Sequence, residues 1–224
     1  RIGLAAPRTD TPSGNADVPK ASADGRTDNT GGSPPRDGNA GGGKDPLGSG
    51  VASLPDGVLS IAATLENDGG RIMAGGHIDL TARDGLDNDG GHLGVRQLDV
   101  RGGGLSNHKG QIKVAAAARL TTGLLNNDAG LMQLAGPVAL NAQGFSNRAG
   151  AFQQSDKSDT HIKIKGQLDN SGGTLASNAR RLTLDAGQLL NTGGQIAHSG
   201  DAGLAVNAGT FRGAGGNTAT MGSA

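Results

Sequence analysis

The sequence predicts an all-β chain folded as a parallel β-helix, a solenoid of about seven to eight coils preceded by a disordered tether. Three observations carry this. A block Leu-x-Asn-x-x-Gly-x-(Ile/Leu) returns every 19 to 23 residues from Leu65 to Ile196. Each period also holds a short alternating apolar pair, and the 224 residues include 42 Gly with only 1% aromatic side chains. Such a mixture is poor in helix formers and rich in turn formers, which argues against a helical or α/β enzyme.

Residues 1–56 hold seven of the eight prolines among Gly, Ser, Asp, Asn and Thr. A segment with so little apolar surface cannot offset its ordering entropy, so it is expected to be a disordered linker. Within it, Gly38-Asn39-Ala40-Gly41-Gly42-Gly43-Lys44 imitates a phosphate-binding loop. The imitation fails on context, because Asp45 replaces the Ser/Thr that would hold magnesium and Pro46 follows with no apolar strand leading in.

Residues 57–212 carry the repeats. The block's asparagines are Asn67, Asn88, Asn107, Asn127, Asn147, Asn170 and Asn191, spaced by 21, 19, 20, 20, 23 and 21 residues. Their partner glycines are Gly70, Gly91, Gly110, Gly130, Gly150, Gly173 and Gly194. Leu65, Leu86, Leu105, Leu125, Phe145, Leu168 and Leu189 open the blocks and are expected to stack as one inward column. An Asn at a corner between strands tolerates left-handed backbone angles, and its amide can bond the Asn one coil above; Gly three residues later frees the chain to enter the next strand. These residues read as structural, since a catalytic group has no cause to recur in every coil.

The second element is an alternating pair: Ile78/Leu80, Leu98/Val100, Val138/Leu140, Ile162/Ile164, Leu182/Leu184 and Leu204/Val206, with Ala116, Ala118 and Leu120 in the blander third copy. Each pair lies on one face of an extended strand. A period therefore reads as three short strands and their corners, and stacking coils about 4.8 Å apart pairs every strand with its neighbours. The longest spacing contains the polar run 153–159, whose extra residues are expected to leave the coil as a protruding loop. Residues 213–224, where only Gly213 and Gly216 survive from the block, are expected to fray.

Chemistry is sparse. Formal net charge is zero, so no global field draws in nucleic acid, and Arg180-Arg181 reads as a solvated turn. Zero cysteines exclude disulfides and thiolate metal sites, and no run is long and apolar enough to span a membrane. The histidines (His77, His92, His108, His161, His198) lack metal-ligand spacing and differ in phase relative to the Asn, so they read as surface residues. Leucine-rich repeats place their Asn three residues after a Leu-x-Leu strand, whereas Asn191 lies seven beyond Leu184. Tandem Gly-Gly-x-Gly-x-Asp nonapeptides of a calcium β-roll are missing. A β-helical glycan hydrolase is the catalytic rival; one glutamate (Glu66) and aspartates set mostly in turns count against it. No catalytic, cofactor-binding or metal-binding residue is assigned.

Leu168-Asp169-Asn170-Ser171-Gly172-Gly173-Thr174-Leu175 with Leu182-Thr183-Leu184-Asp185-Ala186 resembles the filamentous haemagglutinin repeat of large Gram-negative two-partner-secretion exoproteins, over about residues 58–212. The resemblance implies a right-handed β-helical shaft, secreted through an outer-membrane transporter partner and displayed on the cell surface. It implies an adhesin parent with an unidentified host or neighbouring-cell receptor, or alternatively a contact-dependent growth-inhibition protein that delivers a toxin. The family's secretion domain with Asn-Pro motifs and its Val-Glu-Asn-Asn junction have no counterpart here, and the start at Arg1 reads as a piece of a longer polypeptide.

Overall fold

The computed structural model describes residues 27–28, 51–54, 57–74 and 78–220. Among them there is no helix; the strands pair in parallel, each with the equivalent strand one coil away. A representative coil runs from the short strand Leu131–Leu134 through a corner to Val138–Ser146, then through the Asn147 turn to Ala151–Gln154. Seven turns close with the Gly amide donating to the Asn carbonyl, from Gly70 to Asn67 up to Gly194 to Asn191, and an eighth with Gly216 donating to Gly213 at 2.9 Å. The architecture is thus a parallel β-solenoid.

Inward columns of stacked side chains make the core. Leu65, Leu86, Leu105, Leu125, Phe145, Leu168, Leu189 and Phe211 stack in register as expected. Ile72, Leu93, Ile112, Met132, Phe152, Leu175 and Ile196 form the second column. From Ile72 to Ile196 these residues are at most 2% exposed in both columns. Phe145 and Phe152 meet edge to face, with ring centroids 5.7 Å apart. The long strands supply two further columns, and here the pairs read from sequence are not all in phase. Leu80, not Ile78, stacks with Leu98, and Ile162 stacks between Leu140 and Leu184, so Thr160 takes the place held by Val138 and Leu182. A shift of two residues keeps the same side chains inward, and the core tolerates it for that reason.

Two of the three expected strands per coil merge. In the lower coils Ile78–Ala82 and Gly85–Asp87 are separate, whereas Val138–Ser146 and Leu182–Leu190 run unbroken past the bend. Glycines at the bend allow the coils to stay close: a Cβ on Gly123 would lie 2.7 Å from the Gly103 carbonyl oxygen, and on Gly187 2.6 Å from that of Lys165. The longest coil also differs from expectation. Its corner, 155–159, is five residues against three at 135–137, and the remaining extra residue is a register shift between Ile164 and Gln167. The corner is tied in by Arg180 N donating to the Lys157 carbonyl at 3.1 Å, so it forms part of the wall.

Both ends of the repeat array move outward. Val51–Leu54 pairs with Arg71–Ala74 and Thr27–Asp28 with Leu65–Glu66, so the boundary expected at residue 56 is corrected for these six positions. The sequence signal was present. Thr27-Asp28 is followed by Asn29-Thr30-Gly31-Gly32, a copy of the block with Thr in place of its Leu. The rest of the expected tether, the run Gly38–Lys44 and His77 lie outside the described residues. At the other end, Asn217–Thr220 pairs with Gln195–His198, so 213–220 keep the coil that was expected to fray; 221–224 lie outside the described residues.

Candidate functional site

The recurrent polar feature is the asparagine ladder. Asn67, Asn88, Asn107, Asn127, Asn147, Asn170 and Asn191 are each fully buried. Each side-chain amide donates to the Oδ1 of the next asparagine up the chain, at 2.6 to 2.8 Å over the six steps. The same nitrogens reach the carbonyl oxygens of His92, Gln111, Leu131, Ala151, Thr174 and Gln195 in the coil above, at 3.0 to 3.3 Å. At Asn191 the next ladder position is Gly213, which has no side chain, and the amide keeps the equivalent carbonyl contact, to Asn217 at 3.1 Å. Buried amides cost free energy unless bonded. The asparagines satisfy one another, and the chemistry of the row is cohesion.

The backbone reasons expected for Asn and Gly are corrected. None of the ladder asparagines has positive φ. The left-handed residue is the one before the Gly: Gly69, Gly90, Lys109, Ala129, Ala149, Gly172, Gly193 and Gly215, with φ between 51° and 65°. The Gly itself is required by close approach. A Cβ on Gly91, Gly110, Gly130, Gly150, Gly173 or Gly194 would lie 1.9 to 2.1 Å from the carbonyl oxygen of the Asn one coil below. Gly70 occupies the same turn position and closes it with a 3.1 Å bond to the Asn67 carbonyl.

An outer clasp, missed from sequence, alternates between coils. Asp87, Asn126 and Asp169, each one residue before the ladder Asn, accept a bond from the amide two residues on, an Asx turn. In the intervening coils that position is Ser106 or Ser146, whose hydroxyl donates to Asp89 or Asp128 of the coil below. Those carboxylates also accept the amides of His108 and Arg148 at 2.8 Å. The signal was the alternation Asp, Ser, Asn, Ser, Asp before successive asparagines.

The core changes character at one corner. The column Val95, Val114, Leu134 continues upward as Gln154, Ser177, His198 and Thr220. Gln154 Oε1 accepts the Ser177 hydroxyl at 2.6 Å and the Ala179 amide at 3.2 Å, while Nε2 donates to the Asp156 carbonyl at 2.7 Å. His198, expected at the surface, is fully buried. Its Nε2 lies 2.7 Å from the Ala179 carbonyl, which can only accept, so Nε2 bears the hydrogen; Nδ1 faces the Thr220 hydroxyl at 3.2 Å. This network is a polar plug beneath the lengthened corners, and alternation alone gave no cue that its residues point inward.

The other described histidines lie apart. His92 Nδ1 meets Gln111 Oε1 at 3.0 Å, and His161 Nε2 pairs with Asp185. The Asn207 amide and His161 beside Asp185 hold its carboxyl below the usual carboxylate value. No group of three or more His, Asp or Glu poised for a metal ion occurs among the described residues. No family model matches this chain, and neither a curated protein nor a solved structure does.

Proposed function

We propose that the chain is a non-catalytic shaft segment of a secreted, cell-surface exoprotein of the filamentous haemagglutinin type, exported through an outer-membrane transporter partner and holding an adhesive domain away from a Gram-negative cell. The observation that carries this reading is the repeated block itself. Seven consecutive copies keep Asn and Gly, with Leu at the head of six and Phe145 at the head of the fifth, and the structure uses all three positions to join one coil to the next. Residues spent on cohesion in every coil suit a protein whose task is length, since a solenoid grows by adding units with the same nearest-neighbour contacts.

The test is location. Antibody raised to the purified chain should label intact cells that express the natural locus, and the label should vanish when the outer-membrane partner is deleted. Retention in the cytosol of otherwise healthy cells would sink the reading. The same shaft suits toxin delivery, and the open reading frame beyond Ala224 separates the two: an unrelated terminal domain behind a Val-Glu-Asn-Asn junction marks delivery, and its absence there leaves adhesion.

A further inference from the structure

The strands that lead into the ladder turns, from Thr64–Glu66 to the end of Leu204–Arg212, stack as one narrow sheet with two outward columns. In one of them Gly85, Gly104, Leu124 and Gly144 succeed one another coil by coil, followed by Gln167 and Gln188. Leu124 is 67% exposed in a column otherwise made of glycine and polar residues. Its Cδ2 leans up over Gly144, where an added Cβ would lie 3.0 Å away. On its other side Gly85 and Gly104 leave a hollow of about 270 Å³.

Charge is spread unevenly along the same face. The second outward column starts at Glu66, in the coil of Asn67, and ends at Arg212, in the coil of Gly213. Midway, the Asp128 carboxylate reaches the Ser146 hydroxyl and Arg148 lies 3.9 Å from Asp169, which sets both side chains on this face. They belong to adjacent coils, and Arg148 is 65% exposed.

We propose that this face joins two copies of the chain, packed with their coil axes antiparallel. The two-fold axis runs parallel to the strands, between the coil of Asn127 and that of Asn147. Each coil then faces the one equally far beyond the axis, column against like column. Leu124 of each copy meets Gly144 of the other, so the two leucines lie side by side at the axis. Gln167 and Gln188 of each copy enter the hollow over Gly104 and Gly85 of the other, and long side chains meet glycines all along the column. Asp128 faces Arg148 of the second copy and Glu66 faces its Arg212, twice each by symmetry, so opposite charges meet at the centre and at both ends. A two-fold along the coil axis would instead face each coil with itself, setting Leu124 against Asn126 and Arg212 against Thr210. The eight stacked turns present a face of roughly 35 Å by 20 Å, or about 1,400 Å² counted on both copies, within the range of specific interfaces. The pairing goes beyond the shaft reading and is independent of it, because the mass of the purified chain reads the face and cell labelling reads location.

The experiment is sedimentation equilibrium of the purified full chain. A monomer–dimer equilibrium is expected, with Leu124→Lys raising the dissociation constant at least about tenfold. Ala176→Lys, outward-facing on the strand Thr174–Ser177 of another sheet, is expected to leave it unchanged. Arg212→Glu is expected to weaken the dimer about tenfold as well, and Glu66→Arg added to it to restore the dimer, because the reversed pair is again opposite in sign. Should Leu124→Lys lose its cooperative melt, Arg212→Glu carries the same criterion. A chain that stays monomeric up to about 100 μM, or association that proceeds past the dimer, overturns the proposal. So does an undiminished dimer in a folded Leu124→Lys or Arg212→Glu variant, equal weakening by Ala176→Lys, or a folded double variant no tighter than Arg212→Glu alone.

Discussion

The side-chain amide of Asn127 donates to Oδ1 of Asn147 at 2.7 Å and to the Ala151 carbonyl at 3.1 Å, joining two coils through one nitrogen. Its own Oδ1 accepts from Asn107 at 2.7 Å. Asn127→Ala removes one bond from each of these three partners, leaving the Asn107 amide only the Leu131 carbonyl at 3.3 Å, and an unsatisfied buried group costs about 1 to 3 kcal/mol. Loss of stability in at least that range is expected from urea unfolding. An unchanged midpoint would mean that the turn holds without its ladder.

Adjacent residues in the next turn are expected to respond in opposite directions. Gly150→Ala puts a Cβ 2.0 Å from the Asn127 carbonyl oxygen, a backbone atom that cannot move aside without parting two coils, so a loss of about 3 kcal/mol or more is expected. Ala149 sits at φ 51°, which an L side chain adopts at a cost of about 1 to 2 kcal/mol. Ala149→Gly relieves that strain and gives back part of it to unfolded-chain entropy, for a net gain of about 0.5 to 1 kcal/mol. Thermal melts of both variants check the signs; destabilisation by Ala149→Gly would refute the left-handed turn.

Leu125 is 1% exposed between Leu105 and Phe145 in the first column. Leu125→Asp buries a carboxylate with no cation in the column to pair it, and a solenoid has only nearest-neighbour contacts to absorb the defect. The single unfolding transition is expected to split or to move to much lower denaturant, which circular dichroism will show.

Columns were legible in the sequence and corners were not. Leu65 to Leu189 could be read as one column because the block fixes their phase against the Asn, and a residue that repeats in every coil can only face one way. Gly91 and its equivalents were identified with the wrong reason, because the approach to Asn67, which would put a Cβ 2.1 Å from its carbonyl oxygen, is a contact between coils and leaves no trace within one period. Ile162/Ile164 was read one step out of phase since a period of two looks the same when slid by two residues. The inward turn of Gln154, Ser177 and His198 was hidden because polar residues at a strand's end read as surface, and only the mutual bonds of the three coils make the interior acceptable to them.

Asp185 gives the surface a pH dependence of known sign. Its carboxyl is held below the ordinary value of 3.8 by the Asn207 amide first and by His161 second. A depressed carboxyl contributes stability that is present above the unfolded value and is lost as pH falls below it, through the folded value. Melting temperatures of the parent and of Asp185→Asn are therefore expected to converge as pH drops below 3.8 and to differ slightly above it, the pair being solvent-screened. A gap that widens in acid would reverse the assignment.

Leu134 and Gln154 stack in register one coil apart, and both are nearly fully buried, at 1% and 3% exposure. The same column position therefore holds an aliphatic side chain in one coil and an amide in the next, and two reciprocal substitutions separate residue type from surroundings. Gln154→Leu adds apolar volume but removes the acceptor for the Ser177 hydroxyl and the donor to the Asp156 carbonyl. Leaving those groups unmatched is expected to cost about 1 to 3 kcal/mol despite the more hydrophobic residue. Leu134→Gln is expected to cost at least as much, because the column below it is Val114 and Val95, which offer its amide no partner. Adding Ser177→Val to Gln154→Leu is not expected to restore stability, since the Ala179 amide then loses both of its acceptors, Gln154 Oε1 at 3.2 Å and Ser177 Oγ at 3.1 Å. Chemical denaturation of the three variants decides it. A stabilised Gln154→Leu would show that the polar plug is dispensable and that the corner above it can close over an apolar column.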